Sequence, residues 1–213
     1  MAQRKLIFWS VDVQADFMLP GGHLYVPGAE KLIPNIQRLV SSALASGTLV
    51  ISSGDAHAPN DPEFAQFPPH CVAGTPGTRI LPEALGPRVC IIPNVAARKL
   101  PTDVLTCPQI LLEKQTLDVF DNPHTDEIVA LLGPHAEYVI FGVVTEFCVR
   151  CAAKGLLARG RKVSVVTDAI ETLKTEDSRR TLDELQSLGA HLISTQDALA
   201  LLSATAASAS GLK

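Results

Sequence analysis

The sequence predicts an α/β fold, a doubly wound, mainly parallel six-stranded sheet with helices on both faces. Three observations carry this reading. Short β-rich apolar runs alternate along the chain with longer stretches of helical period. Several of the short runs are continuously hydrophobic, as strands covered on both faces are. The helical stretches repeatedly close on a glycine, where a left-handed C-cap is wanted.

In chain order, the first strand candidate is 6–13, followed by an irregular stretch over 14–26. Residues 34–46 have helical period and stop at Gly47, and 49–53 read as the second strand. A long Gly/Pro-rich stretch, 54–82, separates it from strand candidates at 89–92 and 110–113. Asn122 before Pro123 is an N-cap followed by proline at the first helical position, so a helix is expected over 123–132, closed by Gly133. Residues 138–144 form the next apolar strand. A helix over 147–159 stops at Gly160, and a strand over 163–167 follows. A helix over 176–188 stops at Gly189, before a short strand at 192–194 and a helix at 196–202. The small, polar tail 203–213 is expected to fray.

Composition narrows the function. A chain of 213 residues, 46% hydrophobic and 19% charged, favours a single domain over 1–213 and excludes a disordered or collagen-like chain. The net charge is −4, and the one dense basic patch, 159–162, is short and reads as a helix end. Nucleic acid is therefore not an expected partner. No apolar run approaches the roughly 20 residues of a membrane span, and Asp12 interrupts the N-terminal run before it could serve as a signal core. Five cysteines, an odd and irregularly spaced set, suggest free thiols in a reducing compartment, with the cytoplasm as the expected address. Self-association is left open.

Ligands of an open parallel sheet bind beyond the carboxyl ends of its strands. Asp12 lies at the end of the first candidate strand, and Asp55 with His57, Lys114 and Cys148 follow three others, so four strand ends deliver reactive groups to one rim. Cys148 sits at a strand-to-helix turn, where a helix dipole favours thiolate and backbone amides can hold an oxyanion. It could equally be a buried core cysteine, or half of a redox pair with Cys151. Asp12 could be a turn residue and Lys114 a solvated strand end. Taken together, the three make a cysteine acyl-transfer site with aspartate as base. The 54–82 stretch brings Asp55 and His57 two residues apart, with His70 behind Pro68 and Pro69. Glu63, or less favourably Asp61, would complete a ligand set suited to zinc, iron(II) or manganese(II). The bland alternative is a polar surface loop.

At this point a resemblance emerges. VDVQADF (11–17), GDAH (54–57), FPPHCVAGTPG (67–77), LEK (112–114) and GVVTEFCV (142–149) resemble, in order and spacing, the nicotinamidases of the isochorismatase-like cysteine hydrolases. The likeness runs from about residue 6 to about residue 198. It implies the isochorismatase-like, Rossmann-like fold and a triad of Asp12, Lys114 and Cys148. It implies one divalent metal, zinc first, held by Asp55, His57, His70 and Glu63. It also implies an oxyanion hole at the backbone N–H groups of Val144 and Cys148, a cis peptide between Val143 and Val144, and pocket walls at Phe17 and Phe67. The implied reaction is hydrolysis of nicotinamide to nicotinic acid and ammonia through a thioester, with pyrazinamide as a further substrate. The rivals are a sibling amidase of the same fold, a catalytically silent metal- or partner-binding module, and a vinyl-ether hydrolase without the cysteine. Retention of both the triad and the metal set favours nicotinamide.

Overall fold

The computed structural model describes residues 5–210. Seven parallel strands form one sheet: β1 (Lys5–Val11), β2 (Leu49–Asp55), β3 (Val89–Ile92), β4 (Gln109–Lys114), β5 (Ala136–Gly142), β6 (Lys162–Ile170) and β7 (His191–Ile193). Their order is β3-β4-β2-β1-β5-β6-β7, so β1 lies in the middle and the winding reverses beside it. The sheet thus has one strand more than the six expected. The difference lies at its edges, where β3 and β7 have only four and three residues.

The absence of alternation in the strands has its cause in the two cores. Ile7, Trp9 and Val11 of β1 point to one face, and Leu6 and Phe8 to the other. The helices are α1 (Ala15–Met18), α2 (Ile33–Ala45), α3 (Thr125–Leu131), α4 (Arg150–Ala158), α5 (Thr175–Ser187) and α6 (Thr195–Ser210). The first β1 face meets Ile128 of α3, Leu156 of α4 and Leu185 of α5. The second meets Ile36, Leu39 and Val40 of α2 and Ala198 and Leu202 of α6. Each such side chain, fully buried, stabilises the fold by about 1.5–3 kcal/mol relative to leaving it exposed. Gly47, Gly133, Gly160 and Gly189 all take the left-handed φ that a helix stop requires.

Three local expectations change. Asn122 does not cap α3 directly. Its Oδ1 accepts from His124 N at 2.9 Å, and the helix starts at Thr125. The Asn122 side chain is also spent elsewhere, with Nδ2 donating to the carbonyls of Ile92 and Glu113 at 3.2 and 2.8 Å. The last helix is longer than expected, with α6 continuing past residue 202 to Ser210. Its alanines are strong helix formers, and Thr205 Oγ1 donates to the Leu201 carbonyl at 2.8 Å; residues 211–213 lie outside the described chain. Finally, Cys90 and Cys107 form a disulfide, leaving Cys71, Cys148 and Cys151 as free thiols. Parallel pairing sets Cys90 opposite Ile110, so the segment entering β4 passes within reach of β3. Among the described residues, no helix is long and apolar enough to cross a membrane.

Candidate active site

Four adjacent strands, β4, β2, β1 and β5, end on the same rim. Asp12 follows β1 directly, with φ of +49°, a bend that turns its carboxylate back over the sheet end. Asp55 ends β2 and Lys114 ends β4, paired in register. β5 ends at Gly142, whose φ of +121° and lack of a side chain let the chain pass the Val11 carbonyl; a Cβ there would collide with that oxygen. The Val143–Val144 peptide that follows is cis.

The chain then makes one wide π-type turn, Thr145–Val149, and runs into α4. Its hydrogen bonds run from Phe147 N and Val149 N to the Val144 carbonyl at 3.1 and 3.2 Å. Thr145 N and Oγ1 both donate to the Glu171 carbonyl at 2.8 Å. Glu146 accepts from Thr172 Oγ1 at 2.7 Å and from Leu173 N at 3.0 Å. The turn carrying Cys148 is thereby held to the segment after β6.

Lys114 is the hub. Its ammonium donates to Asp55 Oδ1, lies 2.9 Å from Asp12 Oδ2, and reaches Cys148 Sγ at 3.6 Å. Ser53 Oγ donates to Asp12 Oδ1 at 3.0 Å. Burial would lower the Lys114 pKa, but Asp12 and Asp55 hold it well above its ordinary value. Burial raises the Asp12 pKa against the pull of Lys114. Burial, then the Asp12 charge, pushes the Cys148 thiol well above its ordinary value, with Lys114 opposing. The expectation that a helix dipole favours thiolate is therefore outweighed here by burial. The Asp12 carboxylate is among the groups that push the thiol up, so it stands close enough to serve as the acceptor for its proton.

Beside this cluster lies a second. His57 Nε2 is 3.6 Å from Asp55 Oδ2 and 3.5 Å from Glu63 Oε2, and His70 Nε2 is 3.5 Å from Asp55 Oδ2. Tetrahedral ligands with bonds of about 2.0–2.2 Å stand roughly 3.3–3.6 Å apart. Among the described residues, neither His57 Nε2 nor Glu63 Oε2 has a hydrogen-bond partner, although both atoms are buried. Buried donor atoms left this way, beside Asp55 and His70, fit a bound divalent ion. The far nitrogens face acceptors. His57 Nδ1 lies 3.2 Å from Asp61 Oδ2, and His70 Nδ1 lies 2.7 Å from the Pro68 carbonyl oxygen. With a proton on each Nδ1, both Nε2 atoms are free to ligate. Asp61 thus faces the Nδ1 side of the His57 ring, and Asp55 and Glu63 face its Nε2 side. Burial would raise the Asp55 pKa, but Lys114, His57 and His70 hold it far below the usual carboxylate range.

A cavity opens onto both clusters, with Asp12, Asp55, His70 and Cys148 at its base. Phe17 and Phe67 both border it, their ring centroids 5.3 and 6.4 Å from that of His70. Phe147 faces Phe67 edge-on at 6.2 Å. Every site residue named from the sequence falls in this one region. Sequence reasoning missed Ser53, Leu24, Leu117, Leu173, and Phe64, whose ring packs 5.2 Å from His57. It also missed Asp16, which accepts from Cys71 N at 2.7 Å and from His23 N at 3.0 Å. The repeated acids of VDVQADF were a signal for such anchoring, but not for its partners.

Comparison with known proteins supplies the family. The isochorismatase domain matches residues 6–92 and 95–197. The nicotinamidase of Escherichia coli (strain K12) is 29% identical over 220 residues, spanning 92% of this chain and 97% of that protein. The nicotinamidase/pyrazinamidase of Mycobacterium tuberculosis (strain ATCC 25618 / H37Rv) is 26% identical, spanning 86% and 95%. Among solved structures, the pyrazinamidase of Pyrococcus horikoshii in complex with zinc is similar with a TM-score of 0.70 and 29% identity, covering 89% of this chain and 99% of that one. With a seven-stranded parallel sheet and a family match over nearly its whole length, the chain belongs to the isochorismatase domain family.

Proposed function

We propose that the chain is a nicotinamidase, an amidohydrolase that converts nicotinamide to nicotinic acid and ammonia through a thioester on Cys148. One observation carries the reading: Asp55 offers one oxygen to Lys114 and the other to the two imidazoles, so a cysteine site and a divalent-metal donor set share one wall. A plain cysteine amidase has no need of the second set. The names of the relatives support the same substrate class.

Asp55, His57, Glu63 and His70 would hold the metal, which we take to be zinc; iron or manganese suits the same donors. When bound, it would supply a Lewis-acidic anchor for the pyridine nitrogen of the substrate. Phe17 and Phe67 provide apolar walls for a flat ring, which holds the carboxamide over Cys148. Asp12 takes the thiol proton as sulfur attacks the carbonyl carbon. Lys114 keeps the carboxylate and the developing thiolate together in a buried space. The backbone N–H groups of Val144 and Cys148 hold the oxyanion of the tetrahedral intermediate. Asp12 returns its proton to the departing ammonia, and water then cleaves the thioester.

The test is ammonia release from nicotinamide, pyrazinamide and a panel of aliphatic amides, with and without a chelator. Turnover of the two ring amides that falls on chelation is the expected result. Turnover of aliphatic amides alone would replace the reading with a sibling amidase, and none at all with a silent module.

A further inference from the structure

β1 leaves the sheet at Asp12, one strand end short of its neighbour. β2 continues to Asp55, with Lys114 of β4 on one side and no strand on the other. A side chain fills the gap. Gln14 Oε1 accepts from Asp55 N at 2.7 Å, and Gln14 Nε2 donates to the Asp55 carbonyl at 2.8 Å. The same Nε2 donates to the Thr78 carbonyl at 2.7 Å. A primary amide has the same donor–acceptor pair as a peptide group, so Gln14 presents to Asp55 what a neighbouring strand would have presented. Gly54 makes room for it: a Cβ there would stand 3.3 Å from Gln14 Cδ. Gln14 is fully buried, and its backbone pairs with Ile80, so the amide is itself held in place.

We propose that Gln14 is a positioning residue, a side-chain substitute for a missing strand that fixes the Asp55 backbone and thereby sets its two carboxylate oxygens, one on Lys114 and one toward the imidazoles. The proposal rests on the function proposed above for its catalytic consequence, though not for the clamp itself. Asp55 is the one side chain common to both clusters, so a shift of its backbone disturbs both at once. Partners behind a metal ligand commonly contribute about 10–100-fold in metal affinity or activity.

The experiment compares Gln14→Met with Gln109→Met. Gln109 is an equally buried glutamine with three hydrogen bonds, to Ser52 Oγ, the Ala84 carbonyl and Gly86 N, at the opposite end of β4. Both variants lose a buried amide and should lose thermal stability alike. Three quantities are read on the full chain: zinc affinity by competition with a chromophoric chelator, kcat and KM for nicotinamide, and hydrogen exchange at the Asp55 amide. The expected result is zinc affinity and kcat lowered about tenfold or more in Gln14→Met, with both within about twofold of the parent in Gln109→Met. Faster exchange at Asp55 in Gln14→Met alone accompanies it. Parental zinc affinity and kcat in Gln14→Met, or equal losses in the two variants, would overturn the proposal. If the parent neither binds zinc nor hydrolyses nicotinamide, the proposed function falls, and exchange at Asp55 alone decides the clamp: faster supports it, unchanged overturns it.

Discussion

Asp12 Oδ2 and Lys114 Nζ stand 2.9 Å apart, and each side chain is only 1% exposed. A buried pair of this kind has opposite failure modes on its two sides. Asp12→Asn keeps the shape and removes the proton acceptor, so kcat/KM should fall by about 10²–10⁴ at every pH. Lys114→Ala removes the cation that opposes the rise of the Cys148 and Asp12 pKa values. Without it, both groups hold their protons to higher pH, and part of the lost activity should return as pH rises. Profiles of kcat/KM against pH for the two variants check this; identical, flat losses would assign Lys114 another role.

Cys148→Ala should abolish hydrolysis with the fold intact, since Cys71 and Cys151 do not border the cavity. Cys151→Ala should keep most activity. Ammonia release together with circular dichroism separates chemistry from unfolding. Near-parental turnover by Cys148→Ala would end the covalent mechanism.

One divalent ion per chain is expected in protein purified without chelator, and it should be lost in His57→Ala and His70→Ala. Asp61→Ala, which frees the His57 ring at Nδ1, should retain the ion with affinity weakened about 10–100-fold. Elemental analysis and chelator competition measure both. Metal-free parent protein would count against the donor set.

Glu184 of α5 receives hydrogen bonds from Arg150 Nε at 2.6 Å and Lys154 Nζ at 2.5 Å, joining α5 to α4 behind the nucleophile turn. Those bonds pull its carboxyl from an ordinary value of 4.5 down to about 2. The folded value lies below the unfolded one, so the contribution is present in full above that ordinary value and is lost as pH falls toward about 2. The group is a third exposed, which limits the gain to about 1 kcal/mol. Glu184→Gln should therefore lower thermal stability at neutral pH and converge on the parent in acid. A thermal melt series across pH would show whether the curves meet.

The strand ends were legible because continuous apolar runs show where each strand stops, and parallel winding sends all those stops to one rim. That is why Asp12, Asp55, Lys114 and Cys148 stood out together. The supporting residues were not legible, for a physical reason. Gln14 matters because β1 quits the sheet before β2 does, and Ser53 because it lies opposite Val11 in register. Neither fact is local. Cys90 and Cys107 likewise meet only once β3 and β4 are paired, and irregular spacing gives no hint of it. The end of the last helix was set too early for another reason, the serines of 203–210 being weighed over the alanines between them.

The strand order has a consequence for how the chain comes off the ribosome. Spatial neighbours β4, β2, β1 and β5 are made fourth, second, first and fifth, so no segment shorter than 12–148 contains all the reactive groups. The donors Asp55 to His70 are complete long before Cys148 emerges. A chain released between them would carry the candidate donors without the thiol, and the turn that bears the thiol is held only once the segment after β6 has followed. Premature release anywhere before the nucleophile turn yields a fragment without turnover, and enzymatic activity during synthesis becomes a direct report that the central four strands have closed ranks.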